Sequence, residues 1–152
     1  MTTRGMALLN PCNLMCFETM PPWNGEIRPT TDPQGRLCQF SSLSYGIRAG
    51  ALNFQAYQDR HGCSTLSLLI SRQAPPPRLD PGDANNTTQY IDFVQQILGV
   101  GVDDPINLHD KTILAPFLQA VAHFEQGFQC IAPYQIGLAF TLMPDSAFTD
   151  PA

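Results

Sequence analysis

Residues 110–127 read DKTILAPFLQAVAHFEQG. Ile113, Leu114, Phe117, Leu118, Val121 and Phe124 recur at spacings of three and four, the period of one buried helix face. Asp110 supplies a capping side chain at the start and Gly127 a left-handed stop at the end, while Pro116 is expected to bend the helix near its first turns. Glu125 and His123 therefore fall in the last turn of an otherwise apolar helix.

The same reading extends outward. Asn86 with Gln89 three residues on has the form of a capping box, opening a helix whose Tyr90, Ile91, Val94, Ile97 and Leu98 face inward before Gly99. A shorter helix is expected from Thr65 to about Gln73, with Ser64 as N-cap and Leu66, Leu69 and Ile70 inward, stopped by Pro75, Pro76 and Pro77. Residues 74–84 then read as a loop, and Val102 to Leu108 as a turn-rich connection. From Tyr45 a further helix carries Ile47, Ala51, Phe54 and Tyr57 on one face, and Gly62 ends it. Residues 1–40 contain Pro11, Pro21, Pro22, Pro29 and Pro33, so they read as an irregular arm or short hairpin, with a strand around Arg36 to Phe40. The expected fold is mainly α: four to five helices behind that arm, in one domain comprising the arm (1–40), a helical core (45–127) and a tail (128–152) with a short helix through Ile136 and Leu138.

The chain has 152 residues, 43% of them hydrophobic, enough for one core. Only 14% are charged, against roughly 25% in ordinary soluble proteins. A net charge of −5 with scattered basic residues gives no footprint for nucleic acid. No apolar run approaches the roughly 18 residues of a membrane span, and the start lacks a signal peptide's apolar core, so the expectation is synthesis in the cytosol. Five cysteines, an odd number spread along the chain, suit reduced thiols. Cys12 and Cys16 form a C-x3-C pair that, with Cys38, His61 or His109, offers zinc-binding residue types, but no second close pair follows. Small buried thiols, with no metal or other cofactor, are the expectation.

P-loop, Rossmann, H-E-x-x-H, G-x-S-x-G and EF-hand signatures are all missing from the sequence. Glu125 is the carboxylate best placed for chemistry. Flanked by Val121, Phe124 and Phe128 at a helix C-terminus, it can be desolvated and its pKa raised, as an acid that protonates a glycosidic oxygen requires. The competing reading is a solvated glutamate before a terminating glycine. His123 and His61 are secondary titratable candidates. Asp59, Asp83, Asp92, Asp103, Asp104 and Asp110 are all available as a second carboxylate, and no spacing selects one. Trp23, in Pro22-Trp23-Asn24-Gly25, either stacks on a sugar face or anchors the arm to the helices.

In order along residues 3–138, these motifs resemble a family. Thr3-Arg4-Gly5-Met6 followed by Asn10-Pro11-Cys12-Asn13-Leu14, then Pro22-Trp23-Asn24-Gly25, Cys38-Gln39-Phe40-Ser41-Ser42 before Tyr45-Gly46-Ile47-Arg48-Ala49, Leu98-Gly99-Val100 with Asp104-Pro105-Ile106, and finally Ala120–Gly127 are similar to segments of small virion-associated structural proteins of tailed phages and prophages. Those proteins look related to the lysozyme and glucosaminidase superfamily, including lytic transglycosylases. The order of segments implies a circularly permuted lysozyme-like domain. The resemblance further implies Glu125 as catalytic acid, with Trp23, Asn13 and Tyr90 binding substrate. Leu8, Leu9, Cys12, Ser44 and Gln73 replace residues usual in that family.

The resemblance thus implies a virion protein that binds or cleaves peptidoglycan during genome delivery, in contact with other virion proteins and present as a homo-oligomer or in multiple copies. Two alternatives stand beside it: a non-catalytic assembly module with a degenerate lysozyme-like fold, and a prophage effector or inhibitor of a host protein.

Overall fold

The caps decide where the long helices begin and end. Asp110 accepts the amide of Thr112 at 2.9 Å, and Gly127 takes φ 83°, so the helix between them is bounded as its sequence requires. The computed structural model describes residues 2–75 and 84–149. Among them are α1 (Arg4–Ala7), β1 (Glu26–Ile27), β2 (Gln39–Phe40), α2 (Leu43–His61), α3 (Leu66–Gln73), α4 (Ala84–Leu98), α5 (Lys111–Gln126) and α6 (Pro133–Thr141), then a 3-10 turn at Asp145–Ala147. The protein is mainly helical with one short antiparallel hairpin, in which Glu26 faces Phe40 and Ile27 faces Gln39.

Several boundaries move by a residue or two. The α3 cap is Thr65, which accepts the amide of Leu68, and not Ser64. Helix α4 already includes Ala84, so Asn86 lies inside the helix and is not its cap. The loop anticipated after Ala74 falls mostly at residues 76–83, outside the described residues. Pro116 sits within α5, which runs on past it unbroken.

Helix α5 packs against α2, α4 and α6, and α2 also against α3, α6 and β2. Phe54 of α2 meets Phe117 of α5 edge to face, with centroids 4.9 Å apart, and Leu66, Leu69, Ile70, Val94, Leu114, Leu118 and Val121 surround them without exposure. Each such side chain contributes about 1.5–3 kcal/mol by leaving water. Residues 2–40 bring the expected hairpin, and also a helical turn and a buried face: Leu8, Cys12, Leu14, Leu37, Cys38 and Phe40 are all buried. That face needs close backbone approach. A Cβ on Gly46 would lie 1.8 Å from the Leu9 carbonyl oxygen.

His109 joins three parts of the chain. Its Nδ1 lies 2.7 Å from the Ala147 carbonyl and its Nε2 2.7 Å from an Asp59 carboxylate oxygen. Both partners only accept, so the arrangement favours the doubly protonated ring, in which both nitrogens donate. Burial opposes that charge, but the hydrogen bonds to Asp59 and Ala147 outweigh it and the pKa is raised above its ordinary 6.5.

Two outcomes are expected. Gly46→Ala should destabilise the protein by about 1–3 kcal/mol through overpacking, whereas Gly137→Ala, at an exposed helical position with no atom within 4 Å, should stabilise it by about 0.5–1 kcal/mol; equal effects in denaturant titrations would contradict the close approach. The stability that His109 contributes should be complete below pH 6.5 and disappear as the pH rises through its raised folded value. Melting temperatures of wild type and His109→Gln should therefore converge with rising pH, and parallel curves would refute the pairing.

Candidate active site

The site begins at Gln126, a buried residue in the last turn of α5. Its Nε2 donates to the Pro11 carbonyl at 2.8 Å and to Asn13 Oδ1 at 3.0 Å, while its Oε1 accepts the Thr3 hydroxyl. Asn13 is thereby oriented: with Oδ1 committed to Gln126, its Nδ2 donates to Glu125 Oε2 at 3.0 Å. The backbone at Asn13 has φ 53°, a left-handed conformation that asparagine tolerates better than most residues. A Cβ on Gly5 would lie 2.1 Å from Asn13 Oδ1 and 2.4 Å from Gln126 Nε2, so glycine is required where α1 passes this network.

Asn10 holds the same loop from the other side. Its side chain donates to the carbonyls of Leu14 and Cys38, and its Oδ1 accepts the Leu14 amide. Asp32 fixes the next stretch, gripping Arg4 through two bonds of 2.5 and 2.6 Å and accepting the amides of Arg36 and Leu37. The Arg4 guanidinium holds the Asp32 carboxyl well below the usual carboxylate range.

Glu125 is partly buried on the wall of a groove of about 1490 Å³ that also exposes Asn13, Trp23, Glu26, Tyr57 and Asp59. Burial raises its pKa above the ordinary 4.5, and the Asn13 and Tyr90 side chains offset only part of that rise. Glu26, in the same groove, behaves oppositely. Burial alone would raise its pKa, but the Arg28 guanidinium, the Trp23 amide and the Cys16 thiol together hold it below the ordinary value. Two carboxyl groups in one groove therefore differ in protonation tendency, with Glu125 the one disposed to keep its proton.

Of the residues expected to bind substrate, Asn13 and Trp23 lie in the groove with Glu125. Trp23 also packs against the core, as an anchor of the arm would. Tyr90 does not line the groove: it is 1% exposed and stacked on Phe124 at 4.1 Å. Its hydroxyl lies close enough to Glu125 to affect that group's proton affinity but makes no hydrogen bond of full geometry. Phe128 is 46% exposed, so it is not part of the apolar enclosure expected for Glu125. His61 and Asp59 line the far part of the groove, whereas His123 lies against Phe93 at 4.9 Å. Thr3, Asn10 and Gln126 were not legible as site residues, because a buried amide leaves no periodic trace. Their one signal is the density of amides near the N-terminus.

All five cysteines are free thiols, and Cys12 is buried against Gly50, away from any C-x3-C arrangement with Cys16. Among the described residues no helix is long and apolar enough to cross a membrane.

Asn13→Gly, which keeps the left-handed backbone accessible, should remove a hydrogen bond that lowers the Glu125 pKa. The carboxyl pKa read by NMR titration should then rise further, and an unchanged or lower value would show that Asn13 does not act on it.

No family model matches the chain. Protein P5 of Pseudoalteromonas phage PM2 is 30% identical to it over 125 residues, spanning 82% of this chain and 71% of that protein. The likeness covers most of both chains, and the protein belongs to the phage protein family that includes protein P5 of Pseudoalteromonas phage PM2.

Proposed function

We propose that the protein is a virion-associated, lysozyme-like enzyme that cleaves the glycan strands of peptidoglycan, with Glu125 as general acid. The observation that carries this reading is the Glu125 carboxyl itself, its proton affinity raised by burial on the wall of a long groove. A protonated carboxyl there delivers its proton to the bridging oxygen as the glycosidic bond breaks; a water oxygen bonds to the anomeric carbon in its place, and the carboxylate recovers the proton that this water gives up. Trp23 and Tyr57 offer flat faces for sugar rings, and Asn13 fixes which Glu125 oxygen faces the loop. Arg60 in the groove suits the carboxylates of peptidoglycan.

A second reading, a non-catalytic assembly module of the particle, is favoured by one observation. Tyr134, Leu138 and Leu142 form an exposed stripe at four-residue spacing along α6. Such a stripe suits contact with other virion proteins or another copy of the chain.

A zymogram on isolated cell walls separates the two readings. Wild type should clear the wall and Glu125→Gln should reduce clearing about 10²- to 10⁴-fold, with a basic limb of the pH profile that follows the raised Glu125 value. Absence of clearing by folded wild type would overturn the enzymatic reading. The fold penalises the charged form of Glu125, so the stability this group permits is full below pH 4.5 and declines as the pH rises through its folded value. Glu125→Gln, which carries no charge, should therefore melt no lower than wild type at neutral pH, distinguishing lost chemistry from lost fold.

A further inference from the structure

Three extended segments lie side by side at one end of the groove. Met15 bridges Leu37 in antiparallel fashion, the Cys16 amide donates to the Arg36 carbonyl at 2.7 Å, and the Cys38 amide donates to the Leu14 carbonyl at 2.9 Å. In that register residues 16 and 38 are diagonal neighbours on the same face. On the other side of Cys38 runs β1, where Glu26 faces Phe40; Phe40 and Cys38 share a face, so the Glu26 side chain also reaches Cys38. The two Sγ atoms and a Glu26 carboxylate oxygen consequently all lie within 4.8 Å of one another.

The geometry points to a binding site for a thiophilic divalent cation, zinc above others, formed by Cys16, Cys38 and Glu26. Two thiolates and a carboxylate make three of the four corners that zinc takes, and the buried Glu26 and Cys38 are among the residues that line the groove, from whose side water would supply the fourth. Harder cations such as magnesium and calcium are disfavoured by the sulfur ligands.

The charges balance. Glu26 accepts Arg28 Nε at 2.5 Å through Oε2, and the Cys16 thiol lies 3.4 Å from the same oxygen. Without metal the thiols keep their protons, because burial pushes the Cys38 thiol up to about 12 and raises the Cys16 thiol as well. The Glu26–Arg28 pair then leaves the cluster neutral. Metal entry breaks two S–H bonds and forms two metal–sulfur bonds, releasing two protons, so the dication is matched by two thiolates and the cluster stays neutral with Arg28 in place. This exchange makes affinity rise with pH.

The site was hidden in the sequence because the ligands are not the C-x3-C pair. Cys12 is turned into the core, and the pairing of Cys16 with Cys38 comes from strand register between residues 22 positions apart. The inference is independent of whether Glu125 acts as an acid.

The test uses full-length protein freed of metal under a non-chelating reductant and titrated with cobalt(II), then zinc. One cobalt per chain should give a near-ultraviolet thiolate-to-cobalt band and intense visible bands of tetrahedral coordination, zinc should erase both, and a weakly buffered titration should record two protons released per metal. Cys16→Ser and Cys38→Ser should each weaken binding by more than the roughly 10- to 100-fold cost of losing an outer-shell partner, while Cys63→Ser and Cys130→Ser leave it unchanged. The proposal is overturned if wild type with all thiols free gives no thiolate-to-cobalt band, or if the band persists in Cys38→Ser. It is equally overturned if the two cysteines are mapped as a disulfide in protein purified with zinc present throughout.

Discussion

The amide of Gln126 is the constraint on which the rest of this structure depends. Buried amides are costly unless every hydrogen-bonding position is used, and Gln126 meets that demand by reaching Thr3, Pro11 and Asn13 at once. The end of α5 is thereby fastened to the first turn and loop of the chain. Glu125, one residue earlier, is held at the groove wall by the same fastening, and its neighbour Asn13 is oriented by it. Removing the amide would loosen the helix end and the loop together.

The protein uses few charges, and most of those it buries are neutralised by geometry. Asp32 is enclosed by Arg4 and two backbone amides, and Glu26 by Arg28 and the Trp23 amide. Glu125 is the contrast: its hydrogen-bond partner is the Asn13 amide and its other polar neighbour the Tyr90 hydroxyl, neither of them cationic. An acid without a counter-charge in a partly enclosed wall is costly to ionise. Such an arrangement opposes stability at neutral pH, which is the direction expected where chemistry rather than folding sets the choice of residue.

The helices were legible because apolar periodicity and glycine stops are local signals. Gly62 and Gly127 end α2 and α5 in left-handed conformations, and Asp110 and Gly127 bound the helix that carries Glu125. What escaped the sequence was polar and long-range. Thr65 displaced Ser64 as a cap because both residues are competent and one position of register decides. The proline-rich start reads as loop residue by residue, yet Asn10 and Asp32 organise it through bonds spanning up to 28 positions. Tyr90 carries both a helix-face signal and a motif signal; the packing against Phe124 places it in the core, leaving only its hydroxyl near the site.

The bond between Thr3 and Gln126 joins residues 123 positions apart, and that between Asn13 and Glu125 residues 112 apart. The wall around the acid is therefore built from helical turns more than a hundred positions apart in the sequence. Closing so long a loop is among the slower steps of folding and is completed late. Until that loop closes, Glu125 lacks the shielding its loop provides, and its proton affinity lies nearer the ordinary value. Whatever the groove does, it can begin only when these two distant segments have met.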